Sequence, residues 1–178
     1  MKKLVSLLSM LAIVLIAGVA FAQDEEAKAT DYYFEDEDGP VFYITFPETW
    51  TAEWSEGEAL TALQGLSKDE SVLISVMIAH GAKDFAAAGE AIDKILDGLV
   101  TDFNFSEPKE GTLNGMKVMA TNSKAKLVDG GDEVEVGLIF FTPKENEFYI
   151  LYTLGSAEAE KQHAEEITAI INSLRTKE

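Results

Sequence analysis

Apolar residues along this chain of 178 follow two rhythms, one of period two and one of three to four, after an unbroken run at the start. Period two marks strands, because successive side chains point to opposite faces. Tyr32 to Glu35 and Val41 to Phe46 fit it, separated by the turn chemistry of Asp36-Glu37-Asp38-Gly39. Pro47 ends the second run, and Trp50 and Trp54, four apart in an extended segment, share one face. Ala59 to Leu66 and Val72 to Ala79 flank Ser67-Lys68-Asp69-Glu70 and predict a hairpin. Asn114-Gly115 is a strong tight-turn signal, since both residues tolerate positive φ. Met116 to Ala125 follows it, and Asp129-Gly130-Gly131-Asp132 then turns the chain into Val134 to Thr142, with Phe148 to Leu154 last.

Several of these strands are apolar on both sides. Val72, Ile74, Val76 and Ile78 fill one face of their strand, and Leu73, Met77 and Ala79 most of the other. Val136, Leu138 and Phe140 oppose Ile139 and Phe141; Phe148, Ile150 and Tyr152 oppose Tyr149 and Leu151. Such strands belong in the middle of a sheet covered on both faces.

The longer rhythm predicts a helix over Asp84–Phe103, where Phe85, Ala88, Ile92, Leu96, Leu99 and Phe103 form one stripe. Gly89 and Gly98 interrupt it, each costing about 1 kcal/mol relative to alanine. Close approach of helix to sheet would account for Gly89, which lies on the stripe; Gly98 lies off it and has no such explanation. A closing helix opens after Gly155 with Ser156 as its N-cap, Glu158 and Glu160 early, and Arg175 and Lys177 near its end. His163, Ile167, Ile170, Ile171 and Leu174 make its inward stripe. Short turns between strands imply a mainly antiparallel sheet, and two helices suffice for one per face. The expected class is α+β, a three-layer α/β/α sandwich.

The opening run changes the picture of where the chain works. Lys2 and Lys3 precede an uncharged stretch from Leu4 to Ala17, Ala20-Phe21-Ala22 offers small residues at a cleavage position, and Asp24-Glu25-Glu26 follows. Charged start, apolar middle and A-x-A end make residues 1–22 a secretory signal peptide. The run from Leu4 to Phe21 approaches the roughly 20 residues of a membrane span, but the small-residue end and the acidic flank favour cleavage. Residues 23–31 then form a flexible acidic lead-in, and residues 32–178 a single domain. The expected location is periplasmic or secreted, with no stable membrane insertion after cleavage.

Charge narrows the partners. The formal net charge is −18, and loss of Lys2 and Lys3 makes it two units more negative. That field repels nucleic acid phosphates and anionic lipid surfaces. Arg175 is the single arginine, so no arginine clamp for phosphate or carboxylate can be assembled. Cysteine is absent, which excludes a thiol nucleophile, a lipidated cysteine and zinc–cysteine or iron–sulfur sites.

The segment Phe42-Tyr43-Ile44-Thr45-Phe46-Pro47-Glu48-Thr49-Trp50, a strand followed by proline, two residues and tryptophan, resembles the opening of PsbP-like domains. The long helix, the N-G turn, the paired late strands and the terminal Ile170-Ile171-Asn172-Ser173-Leu174 extend the resemblance over about residues 32–175. It implies an antiparallel sheet between helices, a structural role for Pro47 and Trp50, and non-enzymatic work in binding or assembly. The basic docking arm of the photosystem protein has no counterpart here, since Asp24-Glu25-Glu26 carries the opposite sign.

Candidate chemistry is sparse. His80 ends a strand and His163 sits on the closing helix, there read as an edge-of-core residue with its outer nitrogen in water. No G-x-S-x-G elbow accompanies them. Asp36 and Asp38 in one turn, and Asp129 and Asp132 in another, gather oxygens near glycine as a weak calcium site would, without EF-hand spacing. Gly130-Gly131 leads into a strand and not a helix, so it is no phosphate loop. Tyr32, Tyr33, Phe34, Trp50 and Trp54 are the candidates for a ligand or partner surface, Tyr32-Tyr33-Phe34 foremost, because three consecutive aromatics cannot all face inward on a strand. No cofactor is expected. The leading expectation is a non-catalytic exported module that engages an envelope protein or a small apolar ligand. A hydrolase using scattered carboxylates and a histidine, and a weak calcium-binding module, are the alternatives.

Overall fold

The computed structural model describes residues 29–56 and 61–177. The expected signal peptide, most of the lead-in, and Ala59 and Leu60 of one expected hairpin arm lie outside the described residues. In chain order the elements are β1 (Thr30–Asp36), β2 (Gly39–Phe46), β3 (Trp50–Glu56), β4 (Thr61–Ser67), β5 (Val72–Ile78), α1 (Phe85–Leu96), β6 (Val100–Thr101) and β7 (Lys109–Leu113). Then follow β8 (Met116–Leu127), β9 (Glu133–Lys144), β10 (Glu147–Gly155), α2 (Ala157–Gln162), α3 (Ala164–Asn172) and β11 (Arg175–Thr176).

Every strand pairing is antiparallel. The large sheet runs β3-β4-β5-β10-β9-β8-β6, with β7 also on β8, and a second sheet holds β1, β2 and β11. The two-sided strands β5, β9 and β10 lie side by side in its middle, as their sequences require. One core contains Val72, Ile74, Val76, Phe141, Tyr149 and Leu151; the other contains Leu73, Met77, Val136, Leu138, Phe140, Ile150 and Tyr152. The odd and even residues of each strand thus feed different cores.

The covering layers differ from the expected sandwich. Ala88, Ile92 and Leu96 of α1 close the second core. The first is closed mainly by Phe34, Phe42, Ile44 and Phe46 of the small sheet, with Ile170 and Leu174 beside them. A second sheet therefore takes the place expected for a whole helical layer. The architecture is mainly antiparallel β with few helices.

The helices are shorter than their stripes. Asp84 caps α1, its carboxylate accepting from the Ala87 N–H at 2.8 Å, and the helix stops at Leu96, not Phe103. The N–H groups of Gly98 and Leu99 donate to the carbonyls of Ile95 and Leu96 in the stop turn, so Gly98 never sits in a helix interior. Leu99 and Phe103 still pack on the α1 core, which is why their spacing imitated a helix. A Cβ at Gly89 would meet nothing within 4 Å, so close approach to the sheet is not its reason. Ser156 caps α2 as expected, accepting from the Ala159 N–H at 3.2 Å. The closing helix breaks at His163 and ends at Asn172, after which Arg175 and Thr176 pair with Tyr43 and Phe42. Arg175 and Lys177 thus lie beyond the helix they were expected to finish.

Candidate functional site

The aromatic candidates divide by strand parity. Tyr32 and Phe34 point into the fold: the Tyr32 hydroxyl donates to the Ala52 carbonyl at 2.9 Å, and Phe34 stacks on Phe42 at 4.6 Å. Tyr33 faces outward, 47% exposed, beside Tyr43, over which the Arg175 guanidinium lies at 5.2 Å. Trp50 is buried, its backbone N–H closing a turn onto the Pro47 carbonyl at 2.9 Å. Trp54 is 38% exposed and meets Phe34 edge-on at 4.8 Å. Trp50 and Ala52 of the same strand also belong to the first core or pack on it, which puts Trp54 on the face shared with Trp50. Tyr33 and Trp54 are the members a partner can reach.

Of the two acidic turns, Asp36 and Asp38 converge on Lys144. Its ammonium lies 2.6 Å from Asp36, 3.7 Å from Asp38 and 3.8 Å from Glu147. The Lys144 hydrogen bond holds the Asp36 carboxyl below the usual range and raises Lys144 in turn. Asp129 and Asp132 flank Gly130 and Gly131, both at positive φ, in a turn closed by the Leu127 N–H on the Asp132 carbonyl at 2.9 Å. Among the described residues, no three acidic or histidine side chains gather as a metal site.

The most connected polar cluster surrounds His163. Its Nδ1 lies 2.8 Å from Glu166 and its Nε2 3.1 Å from Asp69, so the outer nitrogen meets a carboxylate and not water alone. Glu166 also accepts from the Thr49 hydroxyl at 2.6 Å and the Trp50 indole N–H at 3.1 Å. Asp69 accepts from the hydroxyls of Ser71 and Ser67 at 2.7 and 2.8 Å. The Glu166 bond, with Asp69 adding and burial opposing, raises His163 above its ordinary value. Thr49 and His163 lower Glu166; at Asp69, burial acts upward but the Ser71, Ser67 and His163 hydrogen bonds outweigh it and lower the carboxyl.

This cluster is a clamp between the β4–β5 turn, the turn after β2 and α3. A general base must have a nitrogen free to receive a proton, and both nitrogens of His163 already face acceptors that favour imidazolium. Ser67 and Ser71 donate to Asp69, so no nucleophile–histidine relay is formed there. Sequence spacing offered one signal for the clamp: Glu166 lies three residues after His163, one helical turn away. Asp69 is 94 residues distant and gave none.

A cleft of about 520 Å³ opens where α1 begins and the β9–β10 turn comes round. Lys83, Lys117 and Lys144 line it, with Phe85 and Phe148 as apolar wall, their rings 5.4 Å apart and edge-on. None of these residues was a candidate from sequence, where they are scattered between positions 83 and 148.

No family model matches the chain, and no curated protein matches it in sequence. Solved structures do resemble it. The cyanobacterial PsbP protein CyanoP from Synechocystis sp. PCC 6803 superposes with TM-score 0.61 at 10% identity, over 89% of this chain and 98% of that one. LpqN of Mycobacterium tuberculosis, described as involved in cell envelope biogenesis, gives TM-score 0.50 at 14% identity, over 86% and 94%. A Bacteroides thetaiotaomicron structure gives 0.53 at 12% identity, over 85% of this chain and 49% of its own. The resemblance carried by Pro47, Trp50 and the late strands thus holds in three dimensions: over most of its length the chain has the fold of the PsbP-like protein CyanoP, shared with LpqN.

Proposed function

We propose that this chain is an exported, non-catalytic binding or assembly module of the cell envelope, working through a protein partner or a small ligand. The observation that carries the reading is the closure of the His163 cluster. His163, Glu166 and Asp69 satisfy one another and hold three segments together, so His163 is not free to act as a base. The fold and the exposed aromatics Tyr33 and Trp54 accord with a binding role. Export rests on the charged, apolar and A-x-A sequence of residues 1–22.

In-cell cross-linking of the processed protein, with photoreactive residues at positions 33 and 54, tests the reading. Discrete adducts at either position, retained when His80 and His163 are both replaced by glutamine, support it. A hydrolytic activity of the purified protein that disappears with those two replacements overturns it.

A further inference from the structure

We infer that the cleft between the start of α1 and the β9–β10 turn takes a small free anionic amphiphile, a carboxylate or phosphate head on a short apolar chain. The inference rests on the reading that the domain binds and does not transform its ligand. Its volume of about 520 Å³ falls within the range of roughly 300–1,000 Å³ for small-molecule sites. Its walls are of two kinds. Phe85 and Phe148 are half-buried, pack on the α1 core and present an apolar surface. Lys83 and Lys117 stand at the same cleft, exposed, with no carboxylate within ion-pair distance among the described residues.

The charge balance makes the placement informative. The chain has 14 basic and 32 acidic residues, yet three of its lysines share this one cleft. Lys144 is held by Asp36, with Asp38 and Glu147 also within 4 Å, which leaves Lys83 and Lys117 as the anion-directed pair. Two carboxylates also line the cleft: Asp84, committed by one oxygen to capping α1, and Glu145 on the turn. Asp36, Asp38 and Glu147 offset the charge of Lys144 at close range; acidic groups farther off add little, because at physiological salt charges beyond about 8 Å are largely screened. A lysine within contact distance of a bound head group is not. The same acidity repels an anionic bilayer, so the amphiphile is taken free and not from a membrane surface.

The test titrates the processed protein with sodium octanoate, octyl phosphate, inorganic phosphate and uncharged octyl glucoside, reading backbone amide shifts. The two octyl anions are expected to shift Phe85, Lys117 and Phe148 and to bind at least tenfold tighter than inorganic phosphate or octyl glucoside. Lys83→Gln with Lys117→Gln, both on exposed side chains, is expected to weaken octyl phosphate at least tenfold with no change in thermal midpoint. Phosphate binding as tightly as octyl phosphate would remove the apolar wall from the account, and octyl glucoside matching the anions would remove the lysines. Either result overturns the proposal, as does the absence of shifts at the cleft. Co-sedimentation with phosphatidylglycerol vesicles would overturn the free-ligand assignment. Partner capture at positions 33 and 54 is read separately, so failure at the cleft leaves the broader binding role to be judged on its own.

Discussion

Phe46 lies across the backbone of Gly65 so closely that a Cβ on Gly65 would overlap the ring. Phe46 is fully buried on β2 and Gly65 sits on β4, so this contact seats the small sheet on the large one. Gly65→Ala is expected to destabilise the protein by about 1–3 kcal/mol, the range for forcing extra volume into a packed core. Pairing it with Phe46→Leu recovers part of the loss. Urea unfolding of the two variants checks this, and an unchanged midpoint for Gly65→Ala contradicts it.

Gly89 is the opposite case. It lies inside α1, and a Cβ there would meet open space. Gly89→Ala is expected to stabilise by about 1 kcal/mol through helix propensity alone, raising the thermal midpoint by roughly 2–4 °C in a domain of this size. A lowered midpoint contradicts the placement of α1.

The His163 clamp sets a pH dependence. His163 is raised in the folded protein, so its contribution is complete below the ordinary imidazole value of about 6.5 and is lost as pH rises through the raised value. Asp69 and Glu166 are lowered, so theirs is complete above the ordinary carboxylate values and is lost as pH falls through the lowered ones. The clamp therefore contributes most at mildly acidic pH. Unfolding free energies measured across pH are expected to lose their alkaline slope in His163→Gln; an unchanged slope contradicts the ion-paired geometry.

Lys144 already supplies positive charge at the Asp36–Asp38 turn. A calcium ion there would have to compete with an ammonium. Calcium is expected to move the thermal midpoint of the native protein little and that of Lys144→Gln more, both relative to chelator. Equal shifts in the two proteins would remove Lys144 from the account.

The two-faced strands were legible because Val72 to Ile78, Val136 to Phe141 and Phe148 to Leu154 are apolar at odd and even positions alike. The division into two sheets was not. Phe34, Phe42, Ile44 and Phe46 alternate with outward Tyr33 and Tyr43, a pattern that reads the same for an edge strand of one sheet and for a second sheet laid over it. Helix ends were overextended for a related reason: Leu99 and Phe103 reach the α1 core from a turn and an extended segment. Of the candidate site, strand parity required only that Tyr32, Tyr33 and Phe34 not all face inward, and did not say which of them faces out. The His163–Asp69 contact and the lysine cleft depend on strands brought together across long sequence separations, and no local pattern encodes them.

Binding without catalysis is the role proposed for this domain. Native mass spectrometry of the processed protein, taken from living cells after mild cross-linking, tests it most directly. Added mass from a discrete partner or small ligand is expected, retained in the His80→Gln, His163→Gln double variant. Recovery of the bare chain alone, or turnover of the captured ligand that stops when the two histidines are replaced while the fold is retained, would contradict it.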